Sequence, residues 1–245
     1  MDLTVPQPLA LPTPGVVQVW QLHCSTARSQ RSHWHAWLSL EERDRLQRYR
    51  QSGDRDRFIL SRGGLRYLLA GYLGIAPAAV RLDYGEYGKP LLLTPAAAPL
   101  HFNVAHSGDW VIWGFSPCPY IGVDVEMVQP RQRLSGLIQR CLTTEESDRL
   151  PTEPAARLYD FLCYWTVKEA HLKAVGLGLT YPLQQVQVAL RPQPRLVTAA
   201  QVGGQPDGPW DVHLWQPAPD AIAAVCVGYA QATLQFQSFA AASGR

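Results

Sequence analysis

One segment of this chain constrains its fold more than any other: Ile121-Gly122-Val123-Asp124-Val125-Glu126. In an extended strand alternate side chains share a face, so Ile121, Val123 and Val125 point into a core while Asp124 and Glu126 point together the other way. A second acidic cluster, Trp165-Thr166-Val167-Lys168-Glu169-Ala170, sits on a helical pattern. There Glu169 and Lys173, at i and i+4, stand one above the other. Two carboxylates on a strand and a third on a helix suit a hard cation such as Mg²⁺, which takes carboxylates together with substrate phosphates. A lysine beside them could neutralise a phosphate or protonate a leaving group. On this pattern the chain reads as an Mg²⁺-dependent enzyme acting on a phosphate ester. The plainer reading makes Asp124 and Glu126 solvent-facing residues of an amphipathic strand, and Lys168 and Lys173 surface lysines.

With 47% hydrophobic residues in 245, the chain has ample material for a core and excludes wholesale disorder. A net charge of +2 is too small for bulk nucleic-acid binding. The positive charge is local instead, in Arg43, Arg45, Arg48, Arg50, Arg55, Arg57, Arg62 and Arg66. Cys24, Cys118, Cys141, Cys163 and Cys226 are scattered without a CxxC pair or metal-type spacing. Their odd number, with no secretory signal, points to reduced thiols in the cytoplasm. No apolar run approaches the roughly 18 residues of a membrane span.

Local patterns predict an α+β fold. Residues 1–15, rich in proline, form a loose arm, and 238–245 a frayed tail. Helices are expected at Trp34 to Tyr49, Arg57 to Leu73 with Gly74 as its stop, Arg131 to Arg140, and Pro154 to Val175 ended by Gly176. Thr143-Thr144-Glu145-Glu146 opens a further short helix. Strands are expected at Val16 to His23, Val80 to Tyr84, Leu100 to Ala105, Trp110 to Phe115 and Tyr120 to Met127. Later ones follow at Gln185 to Leu190, Trp210 to Trp215 and Ala221 to Tyr229. Ser107-Gly108-Asp109 is a hairpin-type turn. Helices and strands before Tyr120, and again after it, give two halves, 16–119 and 120–237. No convincing sequence repeat relates them.

Four motifs now stand in order: Tyr87-Gly88-Lys89-Pro90, His101-Phe102-Asn103-Val104-Ala105-His106-Ser107-Gly108, Gly122-Val123-Asp124-Val125-Glu126, and Trp165-Thr166-Val167-Lys168-Glu169-Ala170-His171-Leu172-Lys173. Together they closely resemble the 4′-phosphopantetheinyl transferases of the long, single-chain (Sfp-like) type. The resemblance implies a monomer of two similar α/β halves in pseudo-twofold arrangement, with the active site in the cleft between them. It implies transfer of 4′-phosphopantetheine from coenzyme A, the co-substrate, to a serine of an apo acyl or peptidyl carrier protein, releasing adenosine 3′,5′-bisphosphate. Asp124, Glu126 and Glu169 would hold Mg²⁺, with Mn²⁺ as the alternative ion. Lys173 would assist departure of the bisphosphate, and Glu169 is the family's usual candidate for the base. Arg45, Gly88, Lys89, Asn103, His106 and Lys168 would complete the coenzyme site with Lys173, His106 reading the 3′-phosphate. Ala105 departs from the serine common in the family and removes one hydroxyl contact.

Two other classes fit less well. A coenzyme-A-binding relic would have lost Glu169, Lys173 or an acidic ligand, and none is missing. A nucleotide phosphotransferase would usually show Gly-x-x-x-x-Gly-Lys-Ser/Thr, which this chain lacks. Motifs of this kind leave the physiological carrier unspecified.

Overall fold

The structure, a computed structural model, describes residues 5–85, 88–97, 99–200 and 209–239. The first strand, β1 (Val16–His23), leads through a 3-10 turn at Cys24–Gln30 into α1 (Arg31–Ala36), α2 (Leu40–Gln47) and the long α3 (Ser52–Leu73). Short strands β2 (Leu82–Tyr84) and β3 (Pro90–Leu92) form a ribbon before β4 (His101–Ser107), β5 (Trp110–Ser116) and β6 (Ile121–Met127). The helices α4 (Leu134–Cys141), α5 (Thr144–Asp148) and α6 (Pro154–Val175) follow. The chain then runs through β7 (Gln187–Ala189), β8 (Arg195–Thr198), β9 (Asp211–Ala218), β10 (Ala221–Val227) and β11 (Thr233–Ser238).

This mixed α+β fold is layered. One sheet has the order β11-β1-β5-β4 and a second the order β6-β10-β9. Their facing sides interlock through Val17, Val19 and Ile112 of the first, and Val123, Val125 and Val225 of the second. The outer side of the first sheet packs on α3 around Trp34, Trp113 and Phe115. The outer side of the second packs on α6 around Phe161, Val167 and Ile222. Because β6 alternates, burying Val123 and Val125 between the sheets turns Asp124 and Glu126 toward α6. Strand and helix meet there with almost no gap, since a Cβ on Gly122 would lie 2.0 Å from the Ala170 carbonyl oxygen.

The two long helices share a local device. Ser39 and Glu42 form a capping box at α2, and Thr143 and Glu146 form one at α5. In each case the capping glutamate is buried and receives a cation from the fifteenth residue of the following 22-residue helix. Arg66 Nε donates to Glu42 at 2.8 Å, and Lys168 Nζ to Glu146 at 2.6 Å. Each helix then stops at a left-handed glycine, Gly74 or Gly176. The segments Ser39-Leu40-Glu41-Glu42-Arg43-Asp44-Arg45-Leu46 and Thr143-Thr144-Glu145-Glu146-Ser147-Asp148-Arg149-Leu150 correspond over this short stretch.

Several expectations are corrected. The single helix expected over Trp34 to Tyr49 is broken, because Ser39 adopts an extended conformation to cap α2. The helix expected from Arg57 begins at Ser52, and that expected from Arg131 begins at Leu134, after Arg133 takes a left-handed conformation. The arm is not loose over residues 5–15: the Leu9 N–H donates to Gly71 O at 3.1 Å, and Leu9 and Leu11 rest on the first core. Residues 1–4 of that arm, and Glu86 and Tyr87 of the turn before Lys89, lie outside the described residues. The expected tail does not begin at Ser238, which ends strand β11. That strand pairs parallel to β1 in the first sheet, and Phe239 is buried against Trp34 and Trp113. Residues 240–245 of the expected tail are outside the described set. No helix among the described residues is long and apolar enough to cross a membrane.

Candidate active site

Asp124, Glu126, Glu169 and Lys173 come together where β6 lies on α6. Asp124 is 5% exposed, and its Oδ1 accepts from Lys173 Nζ at 2.6 Å. Lys173 therefore pairs with the strand carboxylate, not with Glu169 one turn back on its own helix. Glu126 is held from several sides: Trp165 Nε1 donates to its Oε1 at 3.1 Å, and Arg131 Nη2 to its Oε2 at 2.5 Å. Ser107 Oγ donates more weakly to the same Oε2, at 3.4 Å.

Two buried carboxylate oxygens in this cluster, Asp124 Oδ2 and Glu169 Oε1, have no hydrogen-bond partner among the described residues. Burial raises the Asp124 carboxyl to about 6, with Lys173 opposing the rise and Glu126 adding to it. Burial, then the charge of Asp124, raises Glu169 to about 7, again against Lys173. Buried acids with orphan oxygens are under-compensated, and a hard divalent cation is the partner that oxygen donors of this kind satisfy. The donor chemistry fits Mg²⁺. The side chains do not form a closed cage, however: among the described residues no group of three or more His, Cys, Asp or Glu is set to hold a metal ion. Lys173 occupies one oxygen of Asp124, and Arg131 one of Glu126.

Lys173 also lines a cavity of about 180 Å³ between the two sheet–helix units. Arg45, Arg62, Gly88, Lys89, Asn103 and His106 line it as well, with Tyr49 and Phe58. It adjoins a second cavity of about 500 Å³, which shares Arg45 and Tyr49 and adds Arg48 and Tyr84 together with the acidic Glu41 and Glu42. The Arg62 guanidinium lies over the rings of Phe58 and Tyr84, 5.9 and 5.4 Å from their centroids, and its buried Nη1 has no partner. Burial lowers its pKa, with Tyr84 and Glu42 opposing the fall. His106 keeps an exposed edge, but burial of the rest of its ring, and then Lys173, Arg57 and Arg62, push its imidazole down to about 4. Among the described residues the smaller cavity is lined by these cations and by no carboxylate, which makes it a cradle for phosphate. A larger cavity of about 780 Å³, walled by Leu91, Leu92, Pro95 and Val175, contains none of the three carboxylates.

Six of the residues expected to bind the coenzyme thus reach one cavity: Arg45, Gly88, Lys89, Asn103, His106 and Lys173. Three of the expected side chains are otherwise engaged. Lys168 is wholly buried, with its donors on Glu146, Cys141 O and Leu183 O, so it braces the scaffold. Asn103 is buried too, and its Oδ1 accepts from Val123 N at 2.9 Å. It stitches β4 to β6, which have no backbone ladder between them. The Lys89 ammonium donates to three main-chain carbonyls. Arg62, counted in the sequence only among the local positive charges, also lines this cavity. Trp165 and Arg131, which orient Glu126, were not expected to do so. The indole of Trp165 follows Phe161 on the apolar helical stripe and carries no sequence signal for a second task.

Comparison with known proteins agrees with this geometry. The signature of the 4′-phosphopantetheinyl transferase superfamily matches residues 120–226, and that of the 4′-phosphopantetheinyl transferase N-terminal region matches 25–117. The chain is similar to the 4′-phosphopantetheinyl transferase HetI of a Nostoc species, at 33% identity over 216 residues, which are 86% of this chain and 87% of that protein. It is 31% identical to a phosphopantetheinyl transferase of a Thraustochytrium species over 72% of this chain and 67% of that protein. It is 30% identical to the 4′-phosphopantetheinyl transferase Sfp of Bacillus subtilis over 67% of this chain and 71% of that protein.

Proposed function

The chain belongs to the 4′-phosphopantetheinyl transferase superfamily, and from that premise we propose that it transfers 4′-phosphopantetheine from coenzyme A to a serine of an apo acyl or peptidyl carrier protein. One observation carries this reading: Lys173 lines the cationic cradle and, at 2.6 Å, touches Asp124 in the carboxylate cluster. A pyrophosphate seated in the cradle would lie beside the group that removes a proton and the group that receives charge.

Asp124, Glu126 and Glu169 would hold Mg²⁺ or Mn²⁺, with Arg131 yielding Glu126. The ion, when bound, supplies Lewis acidity toward the pyrophosphate. Glu169 would also take the carrier serine's proton. The serine oxygen bonds to the phosphorus that carries pantetheine, and the bond from that phosphorus to the bridging oxygen breaks. Adenosine 3′,5′-bisphosphate departs, its new charge met by Lys173. Arg45, Arg62 and His106 bind the coenzyme's phosphates away from the breaking bond. Positioning and charge neutralisation supply most of the catalysis in reactions of this kind.

On this reading the chain acts as a cytoplasmic monomer, in which the units 16–119 and 120–237 are two related halves about a pseudo-twofold axis. The recurring capping-box glutamate and helix cation support that relation. Strand β11 is then an exchange back to the first half. Incubation with coenzyme A, Mg²⁺ and a panel of apo carriers, followed by intact mass spectrometry, tests the proposal. Carriers should gain one phosphopantetheine group and nucleotide analysis should find the bisphosphate. No gain with any carrier of the panel would overturn the reading.

A further inference from the structure

Strand β6 and helix α6 carry every acid and base of the proposed reaction, yet they touch backbone to backbone. A Cβ on Gly122 would fall 2.0 Å from Ala170 O and 2.4 Å from Ala174 N. So close an approach leaves no side chain between the two elements at that point to interlock them and fix how one slides along the other. Lys89 supplies a fixing point. Its Nζ reaches from the end of the β2–β3 turn and donates to Lys173 O at 2.8 Å, Ile121 O at 3.1 Å and Ala174 O at 3.2 Å. The first and third are last-turn carbonyls of α6, which have no partner within their own helix. Ile121 O belongs to the first residue of β6. A cation at this end also opposes the helix dipole.

We propose that Lys89 is a positioning residue for the transfer, a clamp that sets the last turn of α6 against the start of β6. This rests on the transferase reading of the site. An ammonium has three N–H donors, and all three are committed to main-chain oxygens, so the side chain offers nothing to a phosphate. The clamp closes on the carbonyl of Lys173 itself, and the ammonium of that residue sits 2.6 Å from Asp124. Loss of the clamp shifts the leaving-group cation and the strand carboxylate relative to each other. Because Gly88 lines the phosphate cradle, the same turn joins the ligand site to the catalytic helix.

Two variants of the full chain test this. Lys89→Met keeps the stem and removes the donors, and Lys89→Arg keeps a cation with donors. Misplacement of about 1 Å costs on the order of 10²-fold in rate, so Lys89→Met should lower kcat about 10- to 100-fold and leave KM for coenzyme A within about twofold. Hydrogen exchange read by mass spectrometry should show amides 173–177 exchanging at least about tenfold faster. Lys89→Arg should recover most of both. A rise in KM with kcat intact would make Lys89 a ligand contact and overturn the clamp, and so would unchanged exchange in Lys89→Met. Exchange needs no turnover. A wild-type chain that modifies no carrier, yet whose helix end loosens in Lys89→Met, would overturn the transferase reading and keep the clamp.

Discussion

Replacing Lys168 by methionine should unfold the protein more easily without touching its chemistry. The sequence motif places this lysine one residue before Glu169, and the family resemblance assigns it to the coenzyme. In the structure its ammonium is fully buried, 2.6 Å from Glu146, 2.7 Å from Cys141 O and 3.1 Å from Leu183 O. Methionine fills similar space but leaves Glu146 charged, with only the N–H groups of Thr143 and Val188 for company. Removing one partner of a buried ion pair costs about 3–5 kcal/mol. For a chain of this size each kcal/mol moves Tm by about 2–4 °C, so the melting point should fall by about 6–20 °C. Adding Glu146→Gln removes the stranded charge and should return more than half of the loss. Thermal melts of the three proteins measure this, alongside calorimetric titration with coenzyme A at a temperature where all are folded. An unchanged Tm with weakened coenzyme binding would refute the reasoning and restore Lys168 to the ligand site.

Three further outcomes are expected. Lys173→Ala should slow single-turnover transfer from bound coenzyme A by about 10²-fold, with Lys173→Arg recovering only part of it because a planar guanidinium does not replace a compact ammonium; an unchanged rate would reduce Lys173 to a helix-surface residue. His106→Ala should weaken coenzyme A by about 1–3 kcal/mol in KM yet barely affect dephospho-coenzyme A; equal impairment with both donors would remove His106 from the 3′-phosphate. His171, whose buried Nε2 accepts from Ala200 N at 2.9 Å, is held down to about 4 by burial. Since its folded pKa lies below the unfolded value, the unfolded state binds the proton first, and the His171 contribution to stability falls as pH drops from about 6.5 toward 4. The slope should be at most about 1.4 kcal/mol per pH unit, and urea melts should show it flattened in His171→Gln. A slope as steep in the variant would assign the acid loss elsewhere.

Much of this architecture is legible in the residues themselves. The Pro154 start and Gly176 stop bound α6 as expected, and alternation in β6 places Asp124 and Glu126 on one face. The reading falters where tertiary contacts decide. Lys168 and Lys173 lie on one helix, five residues and about 140° apart, and only the packing of α4 and α5 determines which of them is enclosed. The Ser39 capping box was visible as Ser-x-x-Glu, yet the apolar spacing of Trp34, Trp37, Leu38 and Leu46 ran through it. Strand β11 has no local mark of its parallel partner, because its neighbour β1 lies at the other end of the chain. Lys89 sits in a motif that resembles a ligand turn, and nothing in the order of residues reveals that helix carbonyls would claim its ammonium.

The matched capping boxes have a consequence for how many reaction centres one chain can support. Counting along the two 22-residue helices, the fifteenth position carries the buried cation in both, Arg66 and Lys168. The twentieth position is Gly71 in α3 and Lys173 in α6. At Gly71 the N-terminal arm lies directly on the helix, and a single added methyl would meet Gln7 O at 2.6 Å. A lysine there would have to evict the arm. The two helices thus share the buried ion pair, while their twentieth positions differ: Lys173 faces Asp124 in α6, and in α3 the arm covers Gly71. Damage to either ion pair weakens the body of the molecule, whereas the chemistry has no spare.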